Sequence, residues 1–246
     1  MATASTSESA SASSVTPSGN GAAENSEFKN ASREHTSFLA AVEKRTLIRI
    51  AERLPRWVNS DHLTGLGFVA IVAAGAAYWY ASVNPVGLLL VIPLLAINWF
   101  GDSLDGTLAR VRNQQRPRYG FYIDHILDSF GITFLIGGLA LSGYLSPVVA
   151  VAFLVPYLLL SIEIFLATYT IGKFHISHWS FGPTELRILL CVGSLFALRN
   201  PYATIAGREF LLFDLGFAVG AVGVVVILLQ TTVKHTIQLY REETKR

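Results

Sequence analysis

The chain has 246 residues, of which 52% are hydrophobic and only 15% are charged, and its mean hydropathy is +0.46. Soluble globular proteins carry about 25% charged residues, so this composition excludes an ordinary soluble domain. The formal net charge of +2 is too small to indicate a nucleic-acid partner. Apolar runs close to the ~20 residues that cross a bilayer recur along the chain, which predicts an all-α, polytopic membrane protein.

The first part of the chain, residues 1–35, is rich in Ser, Ala, Thr, Asn and Glu and has almost no large apolar side chains. Such a segment cannot bury enough surface to offset the entropy cost of ordering it. We therefore predict a disordered tail over residues 1–35.

Residues 36–57 show a helical pattern with two distinct faces. One face is apolar, and the opposite face carries arginines: Leu47, Ile50, Ala51 and Leu54 against Arg45, Arg49 and Arg56. The pattern is typical of an amphipathic helix that lies in the membrane interface with its arginines towards anionic head groups. A short linker helix packed on the protein's own loops explains the same pattern.

Six apolar stretches follow and predict six transmembrane helices in a membrane domain over residues 58–240, with a short cytoplasmic tail over residues 241–246. The stretches are residues 63–83, 86–100, 121–145, 148–171, 186–196 and 210–229. The second is short, but it can continue as a helix through residues 102–112 into the aqueous phase. The fifth is interrupted by Arg199 and Pro201 and has the weakest signal.

Basic residues alternate between the connections and predict the orientation. The segment before the first span, the second and fourth connections and the C-terminal tail are rich in Lys and Arg, whereas the first and third connections contain none. Because basic loops stay in the cytoplasm, both termini are predicted to be cytoplasmic.

The most informative stretch runs from residue 101 to residue 128, GDSLDGTLARVRNQQRPRYGFYIDHILD. Asp102, Asp105 and Ala109 share one helix face, and Gly120, Asp124 and Asp128 share a face of the next helix. Pro117 separates the two helices, so the hairpin can aim both acidic faces at each other. Four carboxylates are then expected to converge at the cytoplasmic end of two spans.

Four ionised carboxylates so close together need a positive charge beside them, since like charges repel and are costly to desolvate in a membrane. Oxygen-only ligands favour Mg²⁺ or Mn²⁺, and two such ions ~3.5–4 Å apart form a clamp for in-line displacement at phosphorus. Small residues on the same surfaces leave room for a nucleotide or phosphate: Gly106, Ala109 and Gly120. The opposing interpretation is a solvated helix pair with scattered acids.

The stretch resembles the DxxDGxxAR…GxxxDxxxD signature of the class I CDP-alcohol phosphotransferases, integral membrane enzymes of phospholipid synthesis. The resemblance extends to the six-span layout. One departure is that nine residues separate Arg110 from Gly120, one more than in the usual pattern. The extra residue falls in the turn that contains Pro117, so neither helix face is disturbed.

The resemblance implies a reaction in which an acceptor hydroxyl attacks the phosphorus next to the donor alcohol of a CDP-alcohol, and CMP leaves. It also implies roles for the residues that match the signature. Asp102, Asp105 and Asp124 would be metal ligands, and Asp128 would be a ligand or the general base. Gly106, Ala109, Gly120 and Arg110 would line the cytidine and phosphate site.

Two weaker features bear on the substrates. Asp124-His125 with Asp128-Ser129, and the stretch around Gly182-Pro183-Thr184-Glu185, resemble the branch that transfers choline or ethanolamine phosphate to diacylglycerol. His125 and Glu185 would then help to deprotonate the acceptor. The alternatives are that His125 is an interface histidine bonded to a backbone carbonyl, and that Glu185 is an acid favoured by the dipole at a helix N-terminus. The other branch uses CDP-diacylglycerol and a small alcohol, and a phosphorylated acceptor needs cations, which Lys173, Arg187, Arg116 or Arg118 would supply. All four are equally explained as ordinary cytoplasmic basic residues.

Three further expectations complete the sequence analysis. Glu163 is expected to face the helix bundle in a structural role. Gly216 and Gly220 permit close helix packing, either within the chain or between two copies of it. The resemblance to the family implies a homodimer. A six-span cation transporter is the alternative function, although transport sites usually lie near the membrane midplane rather than at its cytoplasmic mouth.

Overall fold

The structure is a computed structural model, and it describes residues 38–171, 183–205 and 207–244. The predicted tail over residues 1–35 lies outside the described residues, as do Lys173, Lys245 and Arg246. Seven helices occur in the described part of the chain: α1 (Phe38–Arg53), α2 (Ser60–Tyr80), α3 (Val86–Val111), α4 (Pro117–Leu141), α5 (Pro147–Ile171), α6 (Pro183–Arg199) and α7 (Leu212–Thr244).

Five of these helices are long and apolar enough to cross a membrane, namely α2, α3, α4, α5 and α7. The polytopic, mainly helical prediction is therefore confirmed. The fifth predicted span corresponds to α6, whose 17 residues fall short of the ~20 that span a bilayer. A total of six spans stays a prediction.

The connection between α6 and α7 differs from the purely helical prediction. It contains two short antiparallel strands, β1 (Tyr202–Ile205) and β2 (Arg208–Leu211), in which Tyr202 pairs with Leu211. Pro201 cannot continue α6, and Gly207 adopts a φ of +77°, which allows a sharp reversal between the strands.

Helix α1 packs on the protein through its predicted apolar face. Leu47 and Ala51 are buried in a small cluster with Leu63 of α2 and with Leu104 and Leu108 of α3. The predicted amphipathic pattern is therefore used for packing against helices α2 and α3. A location of α1 in the membrane interface stays a prediction.

Close backbone contact holds α2 against α3 and α4. A Cβ on Gly138 would lie 1.9 Å from the carbonyl oxygen of Gly75, and a Cβ on Gly101 would lie 2.7 Å from the carbonyl oxygen of Leu63. Only glycine permits such an approach. These two crossings bring the beginning of α2 beside the acidic ends of α3 and α4.

Helices α5 and α7 pack against each other elsewhere in the bundle. Gly220 of α7 lies against Phe153 of α5, so this glycine serves packing within the chain. Glu163 of α5 pairs with His235 of α7, and both side chains are largely buried. The structural role expected for Glu163 agrees with this pairing.

Helix α7 is longer than the apolar stretch that predicted it. It has 33 residues and ends at Thr244, whereas the apolar stretch ends at residue 229. A helix of this length measures about 50 Å and exceeds the ~30 Å hydrocarbon core of a bilayer. The predicted tail over residues 241–246 therefore begins as a continuation of α7.

Candidate active site

The acidic residues lie in the two helix halves that adjoin the hairpin turn. Asp102 and Asp105 lie in the second half of α3, and Asp124 and Asp128 lie in the first half of α4. Pro117 begins α4, where its fixed φ favours a helix start and its missing N–H costs nothing. The hairpin turn also contains Asn113 in the left-handed region, with φ of +53°.

All four carboxylates line one cleft between α2, α3 and α4. The remaining lining residues come from the same three helices: Thr64, Gly67, Phe68, Ile71, Asn98, Leu127 and Gly131. The convergence predicted from helical spacing is therefore present in the structure. Asp105 is buried, whereas Asp102 and Asp128 are exposed towards the opening.

Asp105 is held by donors on both of its carboxylate oxygens. The Thr64 hydroxyl of α2 donates to Oδ2 over 2.6 Å, and the backbone N–H of Gly106 donates to Oδ1. The Ser60 hydroxyl donates to the backbone carbonyl of Asp105 over 3.0 Å. These contacts fix the orientation of a carboxylate that has 7% of its surface exposed.

Asp102 is connected to α6 through a chain of hydrogen bonds. Arg187 Nη2 donates to Asp102 Oδ2 over 2.7 Å, and Arg187 Nε donates to Asn98 Oδ1 over 2.8 Å. The Asn98 amide in turn donates to the carbonyl of Gly67 over 2.9 Å. The guanidinium therefore places a positive charge next to the acidic cluster.

Gly106 and Gly120, two of the residues predicted to line the nucleotide site, have free space where a side chain would lie. A Cβ on Gly120 would meet no atom within 4 Å, and a Cβ on Gly106 would meet only the Arg110 guanidinium at 3.9 Å. Arg110 donates to the Thr107 hydroxyl over 3.3 Å. These residues and Ala109 are not among the residues that line the cleft itself.

His125 and Glu185, the two proposed helpers of deprotonation, do not line the cleft either. The His125 ring shares a hydrogen bond with the Phe121 carbonyl and packs on Phe121 and Phe165, with ring centroids 4.1 Å and 4.7 Å away. Glu185 lies half-buried in the first turn of α6. Their catalytic roles stay predictions.

The predicted cations differ in where they lie. Arg187 does not line the cleft but contacts Asp102, which does. Arg116 forms an exposed ion pair with Asp61 and stacks over Tyr119, and Arg118 is exposed. Lys173 lies outside the described residues, as do Gly172 and Gly182.

Within residues 38–171, 183–205 and 207–244, no group of three or more His, Cys, Asp or Glu side chains has the geometry of a metal site. The carboxylates share a cleft, but Asp102 engages Arg187 and Asp105 engages Thr64. The chemistry of the set is nonetheless that of a hard-cation site, because all the donors are carboxylate oxygens.

Sequence reasoning missed Thr64 and Asn98. Both are ordinary polar residues inside apolar spans, and neither falls in the acidic signature. A polar residue within a span is itself a signal for a site. Asn98 could have been found from its position four residues before Asp102, on the same face of α3.

The chain matches a known protein family and has a fold similar to a solved structure. Residues 57–232 match the family model for CDP-alcohol phosphatidyltransferase. The fold is similar to the crystal structure of Mycobacterium tuberculosis phosphatidylinositol phosphate synthase (PgsA1) with CDP-DAG bound, with a TM-score of 0.59 and 20% identity over 78% of this chain and 94% of that chain. No curated protein matches the sequence.

Proposed function

Because the chain belongs to the CDP-alcohol phosphatidyltransferase family and is a transferase of substituted phosphate groups, we propose that its acidic cleft transfers the substituted phosphate of a CDP-alcohol to an acceptor hydroxyl. The observation that carries this proposal is that Asp102, Asp105, Asp124 and Asp128 all line one cleft.

In the proposed reaction the acceptor oxygen forms a bond to the phosphorus that carries the donor alcohol. The bond between that phosphorus and the oxygen of CMP breaks, and CMP leaves with the bonding electrons. The proton of the acceptor hydroxyl goes to Asp128, which is exposed to the cleft opening. An alcohol is a poor nucleophile at neutral pH, and a positioned base contributes typically about 10²–10⁴-fold.

Asp102, Asp105 and Asp124 are proposed to hold two divalent cations, Mg²⁺ or Mn²⁺, with Asp128 beside them as the base. The all-carboxylate donor set fits such ions. When bound, the ions would offset the charge that develops on the phosphoryl oxygens. Arg187 already supplies one positive charge to Asp102.

For the substrates we propose a CDP-diacylglycerol donor and a small acceptor alcohol that carries a phosphate. Two observations support this branch. The similar M. tuberculosis structure has CDP-DAG bound, and the Arg187 guanidinium lies beside the acidic cluster where it can attract an anionic acceptor. The alternative, CDP-amino alcohol transfer to diacylglycerol, depends on His125, whose ring packs between aromatic residues outside the cleft lining.

The test is an assay of the purified full-length protein that follows release of CMP. Labelled CDP-diacylglycerol is combined with glycerol 3-phosphate, inositol phosphate or serine, and labelled CDP-choline or CDP-ethanolamine is combined with diacylglycerol. We expect turnover with CDP-diacylglycerol and a phosphorylated acceptor. Turnover only with CDP-choline or CDP-ethanolamine would show that the protein transfers an amino-alcohol phosphate to diacylglycerol. The absence of turnover with every donor would contradict the proposed reaction.

We place the cleft and both termini on the cytoplasmic side of the membrane. The support is the concentration of basic residues in α1 and in the α3–α4 turn, since positively charged loops stay inside. A reporter fused after Arg246 is expected to be active only in the cytoplasm. A periplasmic or luminal signal from that fusion would contradict this orientation.

A further inference from the structure

Two hydroxyl groups at the beginning of α2 contact the same residue of α3. Ser60 and Thr64 are four residues apart and therefore lie on one helix face. Ser60 Oγ donates to the backbone carbonyl of Asp105 over 3.0 Å, and Thr64 Oγ1 donates to the Asp105 carboxylate over 2.6 Å. Helix α2 thus contacts the main chain and the side chain of one acidic residue.

These contacts leave the Asp105 carboxylate oriented but not saturated. Thr64 occupies one lone pair of Oδ2, and the Gly106 N–H occupies one lone pair of Oδ1. An ionised carboxylate offers about four acceptor positions, so each oxygen keeps one for a further partner. Because Asp105 lines the cleft, these two positions are the ones left for a cation bound there.

The beginning of α2 is itself anchored on the α3–α4 hairpin. Arg112 donates to the carbonyls of Leu54 and Pro55, each over 3.0 Å, and to the carbonyl of Val58. Asp61 pairs with Arg116. Thr64 therefore belongs to a segment whose position is fixed relative to Asp105, so its hydroxyl acts as a fixed rather than an adaptable donor.

We propose that Thr64 is a positioning residue, which holds the Asp105 carboxylate in the orientation that binds a divalent cation. This inference rests on the proposed function, in which Asp105 is a metal ligand. Removal of the hydroxyl would leave a buried carboxylate oxygen without its donor and free the side chain to rotate. Partners that orient a metal ligand typically contribute about 10–100-fold to metal affinity.

The experiment is a Mn²⁺ titration of the full-length, substrate-free protein followed by electron paramagnetic resonance. Thr64→Val removes the hydroxyl and keeps the shape, whereas Thr64→Ser keeps the hydroxyl. Thr133→Val is the matched control, because the Thr133 hydroxyl bonds only within α4, to the carbonyl of Ser129 over 2.8 Å. We expect Thr64→Val to weaken Mn²⁺ binding by about 10-fold or more, with Thr64→Ser and Thr133→Val close to the unaltered protein.

A second readout separates positioning from general destabilisation. In the CMP-release assay, Thr64→Val should raise the Mn²⁺ concentration needed for half-maximal rate more than it lowers the rate at saturating Mn²⁺. If Thr64→Val does not fold, Thr64→Ala is compared with Thr64→Ser in the same titration.

Three outcomes overturn the inference. Unchanged Mn²⁺ affinity in folded Thr64→Val shows that the hydroxyl does not position the ligand. Equal losses in Thr64→Val and Thr64→Ser show that the site responds to any change at this position and not to removal of the hydroxyl. If the unaltered protein releases CMP but binds no Mn²⁺, the inference fails while the transfer reaction stands, whereas absence of CMP release with every donor is the failure of the proposed function.

Discussion

Gly75 of α2 and Gly138 of α4 meet backbone to backbone. A side chain on Gly138 would begin 1.9 Å from the Gly75 carbonyl oxygen, and one on Gly75 would begin 2.4 Å from the carbonyl oxygen of Phe134. Both distances are below van der Waals contact. The crossing fixes how closely two walls of the acidic cleft approach each other, and it leads to a direct test of the packing.

We expect Gly138→Ala to destabilise the protein. Overpacking at a close contact typically costs about 1–3 kcal/mol, which corresponds to a fall of about 2–12 °C in apparent melting temperature for a chain of this size. The neighbouring Gly137→Ala is the control, because a Cβ there meets no atom within 4 Å. Thermal unfolding in detergent should show a loss for Gly138→Ala and none for Gly137→Ala. Equal melting temperatures would contradict the crossing.

The acidic cluster predicts two different responses to amide substitution. Replacing Asp102, Asp105 or Asp124 with Asn removes a negative ligand, so activity should fall and be partly restored by higher Mg²⁺ or Mn²⁺. Asp128→Asn should lower transfer by about 10²–10⁴-fold without rescue by metal, because it removes the proposed base.

Glu163→Gln is the control for the acidic cluster, since this carboxylate pairs with His235 away from the cleft. CMP release is measured at saturating donor over a range of metal concentrations. Parent rates in all four Asn variants would contradict the phosphotransferase assignment, whereas metal rescue of Asp128→Asn would remove only its role as base.

We expect replacement of Arg187 to weaken binding of the acceptor more than binding of the CDP-alcohol. If its guanidinium attracts a phosphorylated acceptor, Arg187→Gln should raise the KM for that acceptor by about tenfold or more, which corresponds to one charge-assisted hydrogen bond. The KM for the CDP-alcohol should change less. Arg199→Gln, at the exposed end of the same helix, is the control. Equal changes in the two KM values for Arg187→Gln would argue against an acceptor role.

Replacement of Arg112 is expected to change the rate of proteolysis. Its side chain donates to three backbone carbonyls between α1 and α2, so Arg112→Gln should free α1 from the bundle. Loss of about 1.4 kcal/mol of docking energy raises the open population tenfold. Trypsin should then cleave faster at the arginines of α1.

Asp61→Asn serves as the comparison for Arg112→Gln, because it breaks an exposed ion pair that contributes about 1 kcal/mol or less. It should leave the cleavage rate nearly unchanged. Unaltered cleavage of Arg112→Gln would show that the buried apolar contacts of Leu47 and Ala51 hold α1 without the arginine.

The sequence was sufficient to predict the acidic hairpin, because helical spacing and Pro117 are local features. It was also sufficient for the start of α3 at residue 86 and its continuation past the apolar stretch. The end of α7 was not predictable from hydropathy, since the residues beyond 229 are mostly polar but still form helix. The β1–β2 strands are too short to show a strand pattern.

The tertiary contacts of the site lie beyond sequence reasoning. Thr64 is 41 residues from Asp105, and Arg187 is 85 residues from Asp102. No periodicity connects residues at such separations, and the packing of α2 and α6 on α3 decides which of them meet. Arg187 could be proposed as a site cation on charge alone, but its partnership with Asn98 could not.

The separation of Asp102 and Arg187 also sets an order of assembly during synthesis. At about 5–20 residues per second, a ribosome needs about 4–17 s to extend the nascent chain across the 85 residues between them. Throughout that interval the α3–α4 hairpin exists without the guanidinium that later pairs with its first aspartate. The insertion machinery must therefore accommodate the four carboxylates before the arginine that pairs with the first of them has been made, and the Asp102–Arg187 contact forms only when α6 joins the bundle.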